Sequence, residues 1–118
     1  MTVSLANISA DCGEVYDAAD GGTTAVTSLI VRAGSFIKLQ TGTTLGYDAI
    51  VRPLTDAMLV TQVMGGVDPV NKTIGSLSVG AKDLKGMRAY FEKEAKVAAV
   101  ISGVSLDGLT ILMKDSAQ

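Results

Sequence analysis

The clearest hydrophobic pattern in the chain lies in residues 82–96. Its apolar positions recur at spacings of three and four residues: Leu84, Met87, Phe91 and Ala95. Charged residues fill the other side, and Arg88 and Glu92 form an oppositely charged pair at i,i+4. The pattern predicts an amphipathic helix over 82–96. Gly86 lies inside this segment, where glycine costs about 1 kcal/mol relative to alanine, so we expect it to pack closely against a neighbour.

Two apolar runs after this helix predict a β-hairpin. They cover 97–101 and 109–113 and flank Asp107-Gly108, a dipeptide typical of hairpin turns because both residues must take positive φ. Neither run alternates strictly between apolar and polar positions. Strands of this kind are either central in a sheet or covered by a partner subunit.

The N-terminal half predicts a second hairpin. The runs 24–32 and 35–40 are rich in Val, Ile and Thr, which favour strands, and they meet at Ala33-Gly34. A short edge strand at 3–8 and a turn-rich loop at 17–22 precede them.

The segment 47–64 fits two interpretations. Its apolar positions suit a helical face, in which Pro53 is tolerated only if it opens the helix. Alternatively, 48–52 and 57–64 are strands, which the run Leu59-Val-Thr-Gln-Val63 slightly favours. Gly65-Gly66 ends the element in either case, and 67–72 follows as a loop because Pro69 restricts the residue before it to extended conformations.

Composition agrees with a β-rich mixture. The 118 residues suit a single domain covering 1–118, and with 47% hydrophobic but only 4% aromatic residues the core must be filled by small aliphatic side chains. The sequence therefore predicts an α+β fold, with an antiparallel β-sheet of hairpins packed against one amphipathic helix at about 82–96.

Candidate catalytic chemistry is sparse. The chain has no histidine, the commonest general base and metal ligand. Cys12 lies in an acidic stretch that raises a thiol pKa and weakens its nucleophilicity. The glycine-rich segment 75–80 matches no phosphate-binding motif. We expect no enzyme activity, no catalytic residues, no cofactor, no metal and no small-molecule substrate.

An acidic series near the N-terminus leaves one alternative open. Its members are spaced by three residues: Asp11, Glu14, Asp17 and Asp20. Several carboxylates together attract hard cations, but this spacing differs from that of an EF-hand loop. A solvated acidic loop is the favoured interpretation, and cation binding in 11–20 is not decided by the sequence.

Charge and hydropathy limit the classes of partner and the location that we expect. A net charge of −2 argues against nucleic-acid binding. The most apolar segment is too short and too interrupted to span a membrane. The N-terminus lacks the pattern of a secretory signal, so we expect synthesis in the cytoplasm, with incorporation into a virion as one destination.

Apolar surface in excess of one small core indicates self-association. The mean hydropathy is +0.37, and the apolar runs 59–64, 97–101 and 109–113 together exceed what one core can cover in a chain this short. We expect a homo-oligomer, with an interface built from the C-terminal runs: Val97, Ala99, Ile101, Leu109, Ile111 and Met113.

The function predicted on this basis is that of a non-enzymatic structural or assembly protein. Rich in Gly, Ala, Thr and Val and poor in aromatics, the chain resembles small phage virion components of the capsid-decoration (cement) or tail-assembly type. The resemblance lies in composition alone, and it implies a larger assembly such as a capsid as partner. Two alternatives remain: a small regulatory or inhibitory protein-binding module, and an enzyme that uses carboxylates drawn from Asp48, Asp56 and Asp68.

Overall fold

A computed structural model describes residues 3–17, 22–43, 46–65, 81–106 and 108–109. Every regular element within these ranges is a helix: α1 (Leu5–Cys12), α2 (Glu14–Asp17), α3 (Gly22–Thr41), α4 (Asp48–Gly65) and α5 (Ala81–Ser102). The described part of the chain is a bundle of helices. The predicted α+β fold, with its antiparallel sheet of hairpins, is therefore wrong, and so is the β-rich interpretation of the composition. The likeness to virion components rested on composition alone, and no feature of the described fold supports it.

Helix α4 lies at the centre of the bundle. It contacts each of the other four helices, most extensively α5. Its buried apolar residues point in every direction around the helix, as is typical of a core helix: Ile50, Val51, Leu54, Ala57, Met58, Leu59, Val60 and Val63. The helical interpretation of 47–64 is therefore the correct one, and α4 ends at Gly65 as expected. Pro53 lies inside the helix instead of opening it, so the carbonyl of Ala49 lacks its usual i+4 amide donor.

Helix α3 replaces the predicted N-terminal hairpin. Its buried positions follow the helical period: Val26, Leu29, Ile30, Ala33 and Ile37. Its hydroxyl side chains are satisfied within the helix, since Thr27 Oγ1 donates to the carbonyl of Thr23 at 2.8 Å and Ser28 Oγ to that of Thr24 at 3.1 Å. Runs 24–32 and 35–40 are therefore one continuous helix, in which these hydroxyl groups bond to the preceding turn.

Helix α5 confirms the predicted helix at 82–96 and extends it to Ser102. The buried face of this helix continues beyond the predicted end: Leu84, Phe91, Ala95 and Ala99. The run 97–101 is thus the last part of a helix and not a strand, and Gly103 follows with a φ of 70°. In the second predicted strand, 109–113, only Leu109 lies within the described residues.

Gly86 does not pack closely against a neighbour. It is exposed on α5, and a Cβ added there would meet no atom within 4 Å. The expectation drawn from its position in the helix is therefore wrong.

Helix α1 replaces the predicted edge strand at 3–8. The Ser4 amide donates to Asn7 Oδ1 at 3.0 Å, and the Asn7 amide donates to Ser4 Oγ at 3.4 Å, which forms a capping box at the start of the helix. In the predicted loop 17–22, Asp17 ends α2 and Gly22 begins α3, and the positions between them lie outside the described residues. The predicted loop at 67–72 also lies outside them.

Candidate functional site

A groove between α1, α4 and α5 brings together most of the candidate chemistry. It has a volume of about 460 Å³ and is open to solvent. Three carboxyl groups, one guanidinium and two aromatic rings line it, with smaller apolar residues between them: Ala10, Asp11, Ala49, Arg52, Pro53, Asp56, Tyr90, Phe91 and Glu94.

An ion pair joins α1 to α4 at one wall of this groove. Arg52 Nε donates to Asp11 Oδ2 and Nη2 donates to Asp11 Oδ1, both at 2.7 Å. This two-pronged geometry matches the guanidinium fork to the carboxylate. The hydrogen bonds from Arg52 lower the pKa of Asp11 from its usual value, so Asp11 is ionised at neutral pH.

Asp56 lies beneath this ion pair and is only 1% exposed. Burial raises the pKa of its carboxyl to about 9, and the hydrogen bond and charge of Asp11 act in the same direction. Asp56 is therefore protonated at neutral pH. Its carboxyl can then donate a hydrogen bond to the ionised Asp11 carboxylate.

Cys12 completes the network from the side of α1. Its Sγ donates to Asp56 Oδ1 at 3.5 Å, and the side chain is buried. Burial, followed by the charge of Asp56, raises the pKa of the Cys12 thiol, which confirms the direction expected from the sequence. The residue lies in a helix and not in a loop. A protected thiol of this kind is a poor nucleophile.

The carboxyl and thiol groups of the network bond to one another and to Arg52. A protonated carboxyl beside an ionised one is the arrangement that general acid–base chemistry needs. Here, however, both oxygens of Asp11 accept from Arg52, and Asp56 is almost inaccessible. The arrangement is suited to holding α1 against α4. Of the three carboxylates considered for an enzyme, only Asp56 lines the groove, Asp48 lies in the first turn of α4, and Asp68 lies outside the described residues.

The acidic series 11–20 does not gather into a cation site in the described residues. Asp11 is paired with Arg52, Asp17 is exposed, and Asp20 lies outside the described ranges. No group of three or more metal-ligating side chains occurs within those ranges. The glycine-rich segment 75–80 also lies outside them.

A second feature is an apolar face on the outer side of α5. A shallow groove of about 550 Å³ runs along it, lined by residues of α5 alone: Ala89, Glu92, Lys93, Lys96, Val97, Val100 and Ile101. Val97 is 49% exposed, Val100 80% and Ile101 81%. These three aliphatic side chains lie within two turns of one helix.

The predicted interface residues divide into three groups. Val97 and Ile101 lie on this apolar face. Ala99 and Leu109 are buried in the core. Ile111 and Met113 lie outside the described residues.

Sequence reasoning missed two parts of these sites. The partners of the polar network are 41 and 44 positions apart, and no local pattern marks such a pairing. Val100 was also missed as an interface residue, although its spacing of three from Val97 is a helical signal. Treating 97–101 as a strand placed Val100 on the opposite face from Val97.

Comparison of the chain with protein-family models, with curated proteins and with solved structures finds no match. Within the described ranges, none of the helices combines the length and the apolar character needed to cross a membrane.

Proposed function

We propose that this chain is a non-enzymatic assembly protein that associates with copies of itself through the apolar face of α5, formed by Val97, Val100 and Ile101. The observation that supports this is the distribution of exposed large hydrophobic side chains. In the described residues these are Val31, Leu39, Tyr90, Val97, Val100 and Ile101. Four of the six lie on α5, and three of those lie within five positions of one another.

Exposure of this kind has a free-energy cost that association removes. Burying an aliphatic side chain of this size is worth about 1.5 to 3 kcal/mol when it is complete. Isolated exposed hydrophobic residues are ordinary on a protein surface, whereas clustered ones mark interaction sites. The clustering on α5, and not the number of exposed residues, therefore supports an interface.

Part of the apolar content that looked surplus in the sequence is buried in the core. The run 59–64 was part of the apparent excess, but Leu59, Val60 and Val63 are buried in the central helix. Leu109 is buried as well. Among the C-terminal candidates that lie within the described residues, the apolar surface left uncovered is the face of α5.

The experiment compares the oligomeric state of the protein with that of two matched variants. Val100→Glu places a charge at the centre of the apolar face, and Leu39→Glu places the same charge on α3, where Leu39 is 86% exposed. Glutamate is a good helix former, so both variants should keep the fold, which the helical circular dichroism signal checks. Sedimentation velocity is measured from low micromolar to millimolar concentrations.

We expect the unmodified protein and Leu39→Glu to associate as the concentration rises, and Val100→Glu to remain a monomer. A monomeric unmodified protein at millimolar concentration contradicts the proposal. An equal effect of both variants contradicts it too, because association would then not depend on the face of α5.

A further inference from the structure

We infer that two copies of the chain pair through α5 in antiparallel orientation, so that Val97 lies opposite the partner's Val100. This inference rests on the proposed function and adds the geometry of the contact. Its basis is the order of apolar and charged residues along the exposed face of α5.

The exposed face of α5 has a seam with the spacing of helix pairing. Positions spaced by three, four and three residues lie along it: Tyr90, Lys93, Val97 and Val100. Side chains at such spacings interdigitate with those of a facing helix. Lys96 and Ile101 flank the seam and also line the groove. The N-terminal half of the face therefore carries the charged residues Glu92 and Lys93, and its C-terminal half is apolar apart from Lys96.

Charge favours the antiparallel orientation over the parallel one. In a parallel pair with aligned copies, Lys93 and Lys96 each face the identical residue of the second copy, which is repulsive. In the antiparallel pair, Lys93 lies just past the end of the partner's helix. There neither Lys93 nor the adjacent Glu92 faces a like-charged residue of the partner, because positions 103–106 carry no charge.

The antiparallel orientation also covers Ile101. In an antiparallel pair the numbers of two facing positions have a constant sum, which is 197 when Val97 faces the partner's Val100. Lys96 therefore lies opposite the partner's Ile101. The aliphatic part of a lysine side chain can pack on an apolar surface while its ammonium group stays in water. Both copies gain this contact, as a two-fold symmetric interface requires.

The size of the face predicts a weak and reversible pair. In this register positions 95–102 of the two helices overlap, which is about 11 Å of helix at about 1.5 Å per residue. A single helix stripe of this length is smaller than the roughly 800 Å² per partner of a typical stable interface. A second copy held by such a contact dissociates readily, which suits an element that joins a larger assembly through repeated contacts.

Disulfide cross-linking between single-cysteine variants tests the orientation. Val97→Cys and Val100→Cys are purified separately in reduced form, one of them isotopically labelled, then mixed in equal amounts and oxidised. The dimers are sorted by mass. The native Cys12 is buried and is present in all samples, and unmodified protein oxidised in parallel measures its own cross-linking.

A third variant, Lys93→Cys, is oxidised alone and serves as the control for orientation. In the antiparallel pair the two copies of position 93 lie about 16 Å apart along the helix axis, at about 1.5 Å per residue, which is far beyond the reach of a disulfide. In a parallel pair they lie side by side. This arm therefore separates the two orientations directly.

We expect the mixed dimer of Val97→Cys with Val100→Cys to exceed the half that random pairing gives, and Lys93→Cys to remain uncross-linked. Ready cross-linking of Lys93→Cys alone overturns the antiparallel orientation and leaves the proposed function intact. Association seen by sedimentation without any cross-link on α5 shows that the contact lies elsewhere and overturns the inference. A monomer at every concentration overturns both the inference and the proposed function.

Discussion

Replacing Asp56 with Asn tests the polar network between α1 and α4. Asp56 is almost completely buried, and its pKa is raised to about 9 by burial and by the neighbouring Asp11. Asparagine has nearly the same shape as a protonated aspartic acid. Its amide can donate to Asp11, and its oxygen can accept from Cys12 Sγ. The variant therefore keeps the hydrogen bonds of the network but cannot ionise.

The magnitude follows from the difference between the folded and unfolded pKa values. An unfolded aspartate titrates near about 4, so the folded state binds this proton more tightly. The stability that the proton provides is fully present below about pH 4 and is lost as the pH rises toward about 9. Each pH unit in that window costs about 1.4 kcal/mol. Between about pH 5 and about pH 8 the free energy of unfolding should fall by about 4 kcal/mol.

Few other side chains titrate in this pH window, because the chain has no histidine. The lowered pKa of Asp11 affects stability only at more acidic pH, since stability from a lowered carboxyl pKa is lost as the pH falls. The raised pKa of Cys12 lowers stability only above the pH at which an unfolded thiol titrates, near about 8.5. A slope between about pH 5 and about pH 8 can therefore be assigned to Asp56.

The assay is urea unfolding followed by the helical circular dichroism signal across this window. We expect the unmodified protein to lose stability as the pH rises, and Asp56→Asn to show a nearly flat profile and to become the more stable of the two at the alkaline end. Asp17→Asn makes the same chemical change at an exposed position and tests whether the loss of a negative charge alone changes the slope. A flat profile for the unmodified protein, or the same slope in Asp56→Asn, would refute the assignment of a buried, protonated carboxyl.

Three further predictions concern the pairing and packing of single residues. A double-mutant cycle with Arg52→Gln and Asp11→Asn should give a coupling energy of about 1 kcal/mol, because the ion pair is partly exposed. The coupling should disappear as the pH falls below the usual aspartate range, because the pair requires an ionised Asp11. A coupling near zero at neutral pH would show that the pair is not formed. Gly86→Ala should raise the free energy of unfolding by about 0.5 to 1 kcal/mol, measured as a higher urea midpoint, because the position is helical and a Cβ meets no atom there; a lower midpoint would place a neighbour close to Gly86. Phe91→Ala should lower the free energy of unfolding by about 3 to 5 kcal/mol, because the ring is buried; a negligible change in the urea midpoint would show that the ring faces water.

The helix that the sequence predicted correctly is the one with a clear division between charged and apolar residues. Over 82–96 the charged residues separate the apolar ones at spacings of three and four, which fits a helix and not a strand. Helix α4 lacks such a division because it is buried on nearly all sides, so apolar residues also lie between those of its helical face and a strand pattern fits as well. Its threonines look like strand residues in the sequence, yet Thr55 and Thr61 each donate to the carbonyl four residues earlier, both at 2.8 Å.

The candidate sites could be predicted only in part. The absence of histidine and the unreactive environment of Cys12 are visible in the sequence. The network of Asp11, Arg52 and Asp56 depends on how α1 lies against α4, which no local pattern specifies. Val97 and Ile101 were found as exposed apolar positions, but Ala99 was assigned to the same face because a strand alternates with a period of two and a helix does not.

The reason α3 is a helix despite its composition lies in the relative size of two energies. Its eight Val, Ile and Thr residues disfavour a helix by about 0.5 kcal/mol each, or about 4 kcal/mol together. Burial of its four large aliphatic residues contributes about 2 kcal/mol each, or about 8 kcal/mol: Val26, Leu29, Ile30 and Ile37. Because burial outweighs propensity, the arrangement that covers the most apolar surface is the one adopted. By the same reasoning, the aliphatic residues that α5 leaves exposed support the proposal that a second copy covers them.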